Sequence, residues 1–381
     1  WMKRKKLAML VGFLPNPRLY KRLALEKQEY DTHLICWDRG SEMQLKPKED
    51  GFTVHSLSIP AAGNPVKRLP AYALFSRKAQ RLLQMIDPDV IHVQGLDMLR
   101  IACRYKEHTA KPVQIIYEVA DLHRLLIDKP SNLGKKMLQR FLRQEERRCC
   151  QEIALLIVTS EKFLDEYLGS YVPKDKTLFM PNTPDLSAFA EYKPKVYNRD
   201  DFTVGFIGDV RYPQQMRNLI EAAKACDMKV LFAGFEQGGN EIESLCRAYS
   251  HGEWFGRFNF KEQAAGLYEK CDVIYSVYDA DMTNVRVALP NKLYEAIYCE
   301  RPIIVAKGTY LAELVERWGV GVAVDHREPK ELSAVLQRMR DDTGYYQAFC
   351  HHCREQKKIA DTETYNKLLK DCLHQMCIGI I

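Results

Sequence analysis

The segment Leu289-Pro-Asn-Lys-Leu-Tyr-Glu-Ala-Ile297 places two opposite charges at a helix start. Pro290 suits a first helical position, and Leu293, Ala296 and Ile297 form the face to be buried. Lys292 and Glu295, three residues apart, then share another face beside the free N–H groups of the first turn. A cation with backbone donors suits a phosphate, and a carboxylate there can accept from two vicinal hydroxyls. An ordinary surface ion pair worth about 0.5 kcal/mol has the same spacing, so spacing alone does not choose. A second phosphate candidate is Val204-Gly-Phe-Ile-Gly-Asp-Val-Arg-Tyr-Pro213, where a strand ends in a turn and a helix begins near Gln214. Gly205 and Gly208 permit close backbone approach, and Arg211 and Arg217 offer guanidinium forks to phosphate oxygens. A tight βα turn with solvated arginines explains the same residues, since a complete Gly-x-Gly-x-x-Gly is missing.

Two further clusters have blander explanations. Cys350-His-His-Cys353 lies in a helical stretch where the four side chains cannot point one way, and no second Cys/His pair stands at zinc-ribbon spacing, so buried thiols are expected. Cys149-Cys150 reads as helix-end packing. Lys136, Arg140, Arg143 and Arg147 step by four, three and four along one helical face, and residues 134–148 hold six basic and two acidic side chains. A solvated face is the ordinary reading of such a stripe. The alternative is peripheral docking on an anionic inner leaflet, at ~1 kcal/mol per basic side chain.

The elements that must position these residues are short apolar runs alternating with amphipathic stretches, the pattern of βα units around a parallel sheet. The first series runs from Leu7–Val11 through His33–Cys36, Val90–Val93, Val113–Tyr117 and Ala154–Val158 to Thr177–Met180, with helices over Pro65–Met85 and Lys135–Cys150. After a polar stretch over 191–201 the alternation restarts at Phe202–Ile207 and continues through Lys229–Ala233, Val273–Val277, Ile303–Ala306 and Val320–Val324. The expectation is α/β: two Rossmann-like doubly wound domains facing across a cleft, over 1–195 and 196–360, followed by a helical segment, 361–381. In that segment Tyr365, Leu368, Leu369, Cys372 and Met376 recur at helical spacing and require an apolar partner.

At 381 residues, two domains are also what length suggests, at roughly 150 residues each. Hydrophobic residues at 46% and charged residues at 28% exclude disorder, collagen and a disulfide mini-scaffold. A net charge of +6 is too small to indicate nucleic acid. Twelve scattered cysteines without a secretory h-region read as reduced thiols in cytosol, and Lys3-Arg4-Lys5-Lys6 leads into an apolar run far too short to span a bilayer.

Pro290-Asn-Lys-Leu-Tyr-Glu-Ala296, followed by Arg301-Pro-Ile-Ile-Val305, resembles the donor-site helix of family 4 retaining glycosyltransferases of GT-B architecture, as found in bacterial polysaccharide and glycolipid assembly. Asn16–Ala24 with Thr32–Trp37, Asp87–Val93, Thr159-Ser160 and Pro181-Asn182 are similar to further segments of that family. The resemblance implies transfer of a sugar, with retention, from a UDP- or other nucleotide-sugar to a lipid-linked or polysaccharide hydroxyl. Glu295 matches the second of the family's paired glutamates, which holds the ribose; Val287 stands where the first belongs, which leaves sugar recognition to Asp281, Asn284 or Arg286. Gly208, Arg211, Arg217, Asn284, Pro290, Asn291, Lys292, Leu293 and Glu295 are the implied donor-binding residues. On the acceptor side, Glu118-Val-Ala-Asp-Leu-His123 carries Ala120 in place of the usual histidine and leaves Glu118, Asp121 and His123 as candidates. Arg211 and Lys292 are implied to stabilise the leaving phosphate, with no enzymic nucleophile, no cofactor and no metal; Asp279-Ala-Asp281 reads as a loop. The resemblance also implies that the final helix crosses back onto the first domain, and that the protein is cytoplasmic with a peripheral contact at the inner face of the plasma membrane. Two rivals share the architecture: a UDP-sugar 2-epimerase, and a catalytically inactive sugar-nucleotide-binding subunit, for which Val287 and Ala120 speak. A dehydrogenase falls behind for want of the glycine fingerprint.

Overall fold

A computed structural model describes residues 4–40, 50–236 and 238–379. Trp1–Lys3, the start of the basic opening run, lie outside the described residues. The chain forms two compact units, one of residues 1–180 with 363–381, the other of residues 181–362.

Unit 1 carries seven parallel strands: β1 (Lys6–Val11), β2 (Asp31–Asp38), β3 (Thr53–Ser58), β4 (Val90–Gln94), β5 (Gln114–Val119), β6 (Leu155–Val158) and β7 (Thr177–Phe179). They are ordered β3-β2-β1-β4-β5-β6-β7. Its helices are α1 (Pro17–Glu29), α2 (Pro65–Ile86), α3 (Leu96–His108), the short α4 (Arg124–Ile127), α5 (Leu133–Cys150) and the short α6 (Lys162–Glu166). Asn16, Asn64 and Asn132 cap α1, α2 and α5 with their side-chain oxygens, and proline begins the first two helices. Leu7, Met9 and Val11 are fully buried against Leu19 and Leu23 of α1.

Unit 2 has six parallel strands: β8 (Thr203–Ile207), β9 (Lys229–Ala233), β10 (Gly252–Gly256), β11 (Val273–Ser276), β12 (Ile303–Ala306) and β13 (Gly321–Val324). Their order is β10-β9-β8-β11-β12-β13. Between and after them run α7 (Pro213–Cys226), α8 (Glu241–Arg247), α9 (Phe260–Glu269), α10 (Thr283–Val287), α11 (Asn291–Tyr298), α12 (Tyr310–Trp318), α13 (Pro329–Asp341) and α14 (Thr343–Glu355). Phe206, Phe232 and Tyr275 meet Met216 and Leu219 of α7 and Leu336 and Met339 of α13 in its core.

The chain then returns to unit 1 as α15 (Thr362–Ile378), where Leu369, Leu373 and Met376 are fully buried and the Tyr30 hydroxyl donates to the Leu373 carbonyl at 2.8 Å. The buried set differs from the sequence expectation: Leu368 is 45% exposed, and Leu373 takes its place.

Both strands missing from the sequence reading, β3 and β10, lie on sheet edges and hold only half-buried and exposed residues, so neither shows an apolar run. The unit boundary also shifts, from residue 196 to Pro181. The polar stretch is bound into unit 2: Phe189 packs edge-on against Phe260 and Tyr268, while Arg301, buried, donates to the Tyr192 hydroxyl at 3.1 Å and the Lys195 carbonyl at 3.1 Å. The thiols are free, and those of Cys350 and Cys353 are buried in α14, as their helical spacing requires. Among the described residues no helix is long and apolar enough to cross a membrane.

Candidate active site

In unit 2 the two phosphate candidates meet. β8 is followed by Gly208, whose φ of 140° disfavours any side chain and whose N–H donates to the Ala233 carbonyl at 2.7 Å. A Cβ on Gly208 would lie 2.6 Å from the Lys292 ammonium, and one on Gly234, at the end of β9, would lie 2.0 Å from the Gly208 carbonyl oxygen. Two glycines thus stack into a shelf of bare backbone, and Lys292, from the first turn of α11, reaches over it.

Lys292 is only 8% exposed. Its ammonium donates to the Tyr278 hydroxyl at 3.0 Å and stands 4.8 Å from the Phe206 ring centre, yet has no carboxylate partner among the described residues. A buried cation held only by a hydroxyl and aromatic faces lacks the counter-charge that normally offsets its desolvation. Beside side-chain-free glycine backbone, such a cation suits an anion.

Glu295 is 2% exposed and accepts from the Tyr268 hydroxyl at 2.5 Å and the Asn291 amide at 2.8 Å. This corrects the shared surface face: both charged residues turn inward, Lys292 toward the shelf and Glu295 toward α9. Burial, and then the Glu295 charge, push the Tyr268 hydroxyl well above its usual value, so it remains a donor. Pro290 supplies the N-cap position of α11, while Leu293 is fully buried and anchors the helix rather than facing a ligand.

The arginines divide. Arg211, in the turn after β8, is exposed and pairs with Asp209 at 3.3 Å. Arg217, one turn into α7, is occupied by Glu241 at 2.5 Å and Gln214 at 3.0 Å. Asn284 and Arg286 sit on α10, where Val287 is buried. The Asp279-Ala-Asp281 loop has a companion that the sequence reading did not find: His326, after β13, puts Nδ1 3.6 Å from Asp279, and the ligand atoms of all three lie within 4.8 Å of one another. Arg327 pairs with Asp281 and holds its carboxyl below the usual range, while the Gln215 amide lies 3.2 Å from His326 Nδ1.

In unit 1 the acceptor candidates separate. Glu118, at the end of β5, has no exposure and lies 3.2 Å from Arg22 Nε, 3.3 Å from His92 Nε2 and 3.9 Å from Arg18 Nε. Burial works to raise its pKa, but Arg22, His92 and Arg18 outweigh it and hold Glu118 well below the carboxylate range. A carboxylate so enclosed and so acidic is not placed to take a proton from a substrate hydroxyl; it is a structural charge, which corrects its assignment among the catalytic residues. His92 in turn meets Glu26 at 2.5 Å; burial lowers its pKa, but Glu26 and Glu118 prevail and push it up to about 9. The sequence did carry a trace of this network, because Arg18, Arg22 and Glu26 recur every four residues along α1.

Asp121 and His123 are exposed on the loop after β5. His123 Nδ1 caps α4 by accepting from the Leu125 N–H at 3.2 Å, which leaves Nε2 as the outward donor of the neutral ring. Ala120 takes part through its carbonyl, which accepts from Thr159 Oγ1 at 2.7 Å. Of the basic stripe on α5, Arg143 donates to the Leu126 carbonyl at 2.7 Å and Arg147 lies 5.7 Å from the Tyr171 ring, so Lys136 and Arg140 are its more open members.

Residues 18–183 match the glycosyl transferase 4-like domain, and residues 201–342 match the glycosyl transferases group 1 domain. The chain belongs to the family 4 glycosyltransferases. This glycosyltransferase is 25% identical, over 75% of its length and 73% of the relative's, to the succinoglycan biosynthesis protein ExoL of Rhizobium meliloti. Its fold is that of GT-B enzymes. A sucrose-phosphate synthase from Thermosynechococcus elongatus superposes with a TM-score of 0.74 at 15% identity, covering 99% of this chain and 100% of the other. Anabaena HepE, solved with UDP and glucose, superposes with a TM-score of 0.67 at 17% identity, covering 98% and 100%. The glycosyltransferase matches one domain model per unit, and the shelf with Lys292 falls in the second.

Proposed function

We propose that this glycosyltransferase moves a sugar, with retention, from a nucleoside diphosphate donor bound in unit 2 to a hydroxyl of a glycan or lipid-linked acceptor bound by unit 1. The observation that carries the donor reading is the buried Lys292 ammonium without a carboxylate partner, set over Gly208. UDP in the structures of HepE supports a uridine diphosphate in that role. In this reading the diphosphate lies on the glycine shelf against Lys292, Arg211 swings from Asp209 to join it, and Glu295 exchanges its bonds to Tyr268 and Asn291 for ribose hydroxyls.

The bond from the anomeric carbon to the diphosphate oxygen breaks as the acceptor oxygen forms its bond on the same face, and the acceptor proton passes to the departing phosphate. Lys292 and Arg211 stabilise the charge that grows on that phosphate, with no metal and no enzymic nucleophile. Asp121 and His123 orient the acceptor. Lys136 and Arg140 supply a peripheral contact with an anionic membrane.

Calorimetry with UDP tests the donor site. Lys292→Ala is expected to weaken UDP binding at least ten-fold while the fold is kept, and unchanged affinity in a folded variant would remove Lys292 from the site.

A further inference from the structure

A buried polar atom without a hydrogen bond is rare and calls for a partner. In unit 1 two such atoms are donors that flank one carboxylate. Arg18 Nε is shielded from solvent, makes no hydrogen bond and lies 3.9 Å from Glu118. Gln94 Nε2 is likewise shielded and unpaired, in a residue only 7% exposed. Gln94 ends β4 and is the register partner of Glu118 on β5. The pleat therefore sends both side chains to the same face of the sheet, the face that α1 covers through Arg22.

Direction orders the groups along that face. α1 runs against the strands beneath it, so its Glu26 meets His92, its Arg22 meets Glu118, and Arg18 lies one turn nearer the helix start. Gln94 stands two residues beyond His92 on the same strand. Arg18 and Gln94 are thus the outermost members of the network, at the carboxyl edge of the sheet. α1 opens there as well. Asn16 takes the N–H groups of Leu19 and Tyr20 through its side chain and its carbonyl, and leaves that of Arg18 without a partner among the described residues.

The charges of this network do not balance. Glu26 and Glu118 offer two carboxylates to three cations: Arg22, Arg18, and His92 with its pKa pushed up to about 9. Arg22 and His92 hold the closer positions, so the surplus cation is Arg18, which makes no hydrogen bond among the described residues. Its side chain is 18% exposed and open to a ligand at the edge. A guanidinium fork pairs with a planar oxyanion through two parallel bonds, and a neighbouring amide adds a neutral donor.

We propose that Arg18, Gln94 and the first turn of α1 form an oxyanion-binding subsite in unit 1, which takes a carboxylate or phosphate group of the acceptor. The proposal rests on the reading of unit 1 as the acceptor side, and it deepens that reading: the acceptor bears an acidic group, which anchors it at the edge that carries Asp121 and His123. A surplus of one charge favours a singly charged carboxylate, as on a hexuronic acid residue, over a doubly charged phosphate.

Calorimetry of the full chain with methyl glucuronide, methyl glucoside and inorganic phosphate tests this. The two glycosides differ only in the carboxylate, and the glucuronide is expected to bind roughly ten-fold more tightly. Phosphate bound in preference to the glucuronide would keep the subsite and assign the acidic group to a phosphoryl acceptor. Arg18→Gln should weaken binding of the preferred acid roughly ten-fold and Gln94→Leu about five-fold, with UDP affinity unchanged in both. Gln94→Leu should also raise the urea midpoint, since it removes a buried amide that has no partner. A lowered midpoint, equal affinity for the two glycosides without phosphate binding, no binding of any of the three, or folded variants that bind like the parent would each overturn the proposal. Titration of the acid in the presence of UDP separates the two readings. A chain that binds UDP but no acid loses only the subsite, whereas an acid displaced by UDP would give Arg18 to the donor and overturn the reading of unit 1 as the acceptor side.

Discussion

The carboxyl edges of the two sheets treat buried charge in opposite ways. In unit 1, Arg22, Glu26, His92 and Glu118 are all less than 5% exposed and consume one another's charge. In unit 2, Lys292 is also buried, at 8% exposed, but meets only a hydroxyl and aromatic rings. Opposite charges that answer one another act as scaffold, whereas a cation without a carboxylate keeps an unmet charge. Burial and titratable chemistry alone therefore do not mark a site. The decisive property is whether the charge is answered within the protein.

The largest expected effect comes from depriving unit 1 of its borrowed helix. Removing 363–381 uncovers the core that Leu369, Leu373 and Met376 close, and three such side chains contribute at least about 5 kcal/mol before entropy costs. Differential scanning calorimetry should show unit 1 melting early or not folding, with unit 2 retaining its transition. An unshifted melting profile would leave α15 without a stabilising role.

Breaking the closed network comes next. Glu118→Leu strands Arg22 and His92 and should cost roughly 3–5 kcal/mol of stability in urea unfolding. Lys292→Met, which leaves no charge behind, should unfold like the parent and instead lower kcat by about 100-fold, near 3 kcal/mol of transition-state stabilisation. If the two variants exchanged phenotypes, the distinction between scaffold and site would fail. Glu295→Gln keeps the shape and should weaken nucleotide binding by about 1.5–3 kcal/mol, as read by calorimetry.

The smallest effect is a pH dependence. His92 is raised from 6.5 to about 9, so its contribution is fully present below pH 6.5 and is lost as pH rises through about 9. Glu118 is depressed, so its contribution is present above the ordinary carboxylate value and falls only in strong acid, below that value. Urea midpoints should thus decline between neutrality and pH 9 in the parent and flatten in His92→Gln. An equal decline in both would assign the alkaline transition to another group.

The α/β class, the two series of strands and the helix carrying Lys292 and Glu295 were legible in the sequence, because a buried parallel strand must be an apolar run and a half-buried helix must show 3.6-residue spacing. The edge strands β3 and β10 left no such trace, since one side of each strand has no neighbour to cover it. Nor could spacing tell that Glu295 turns to Tyr268, 27 positions away, that Glu118 is closed off by α1 and His92, or that Asp279 and Asp281 meet His326. Periodicity reports which side of an element faces inward, and that much the chain by itself determined. Which charges are answered there depends on partners brought from distant strands, and only the tertiary structure decided that Glu118 would meet Arg22 and His92 while Lys292 meets a hydroxyl and aromatic rings.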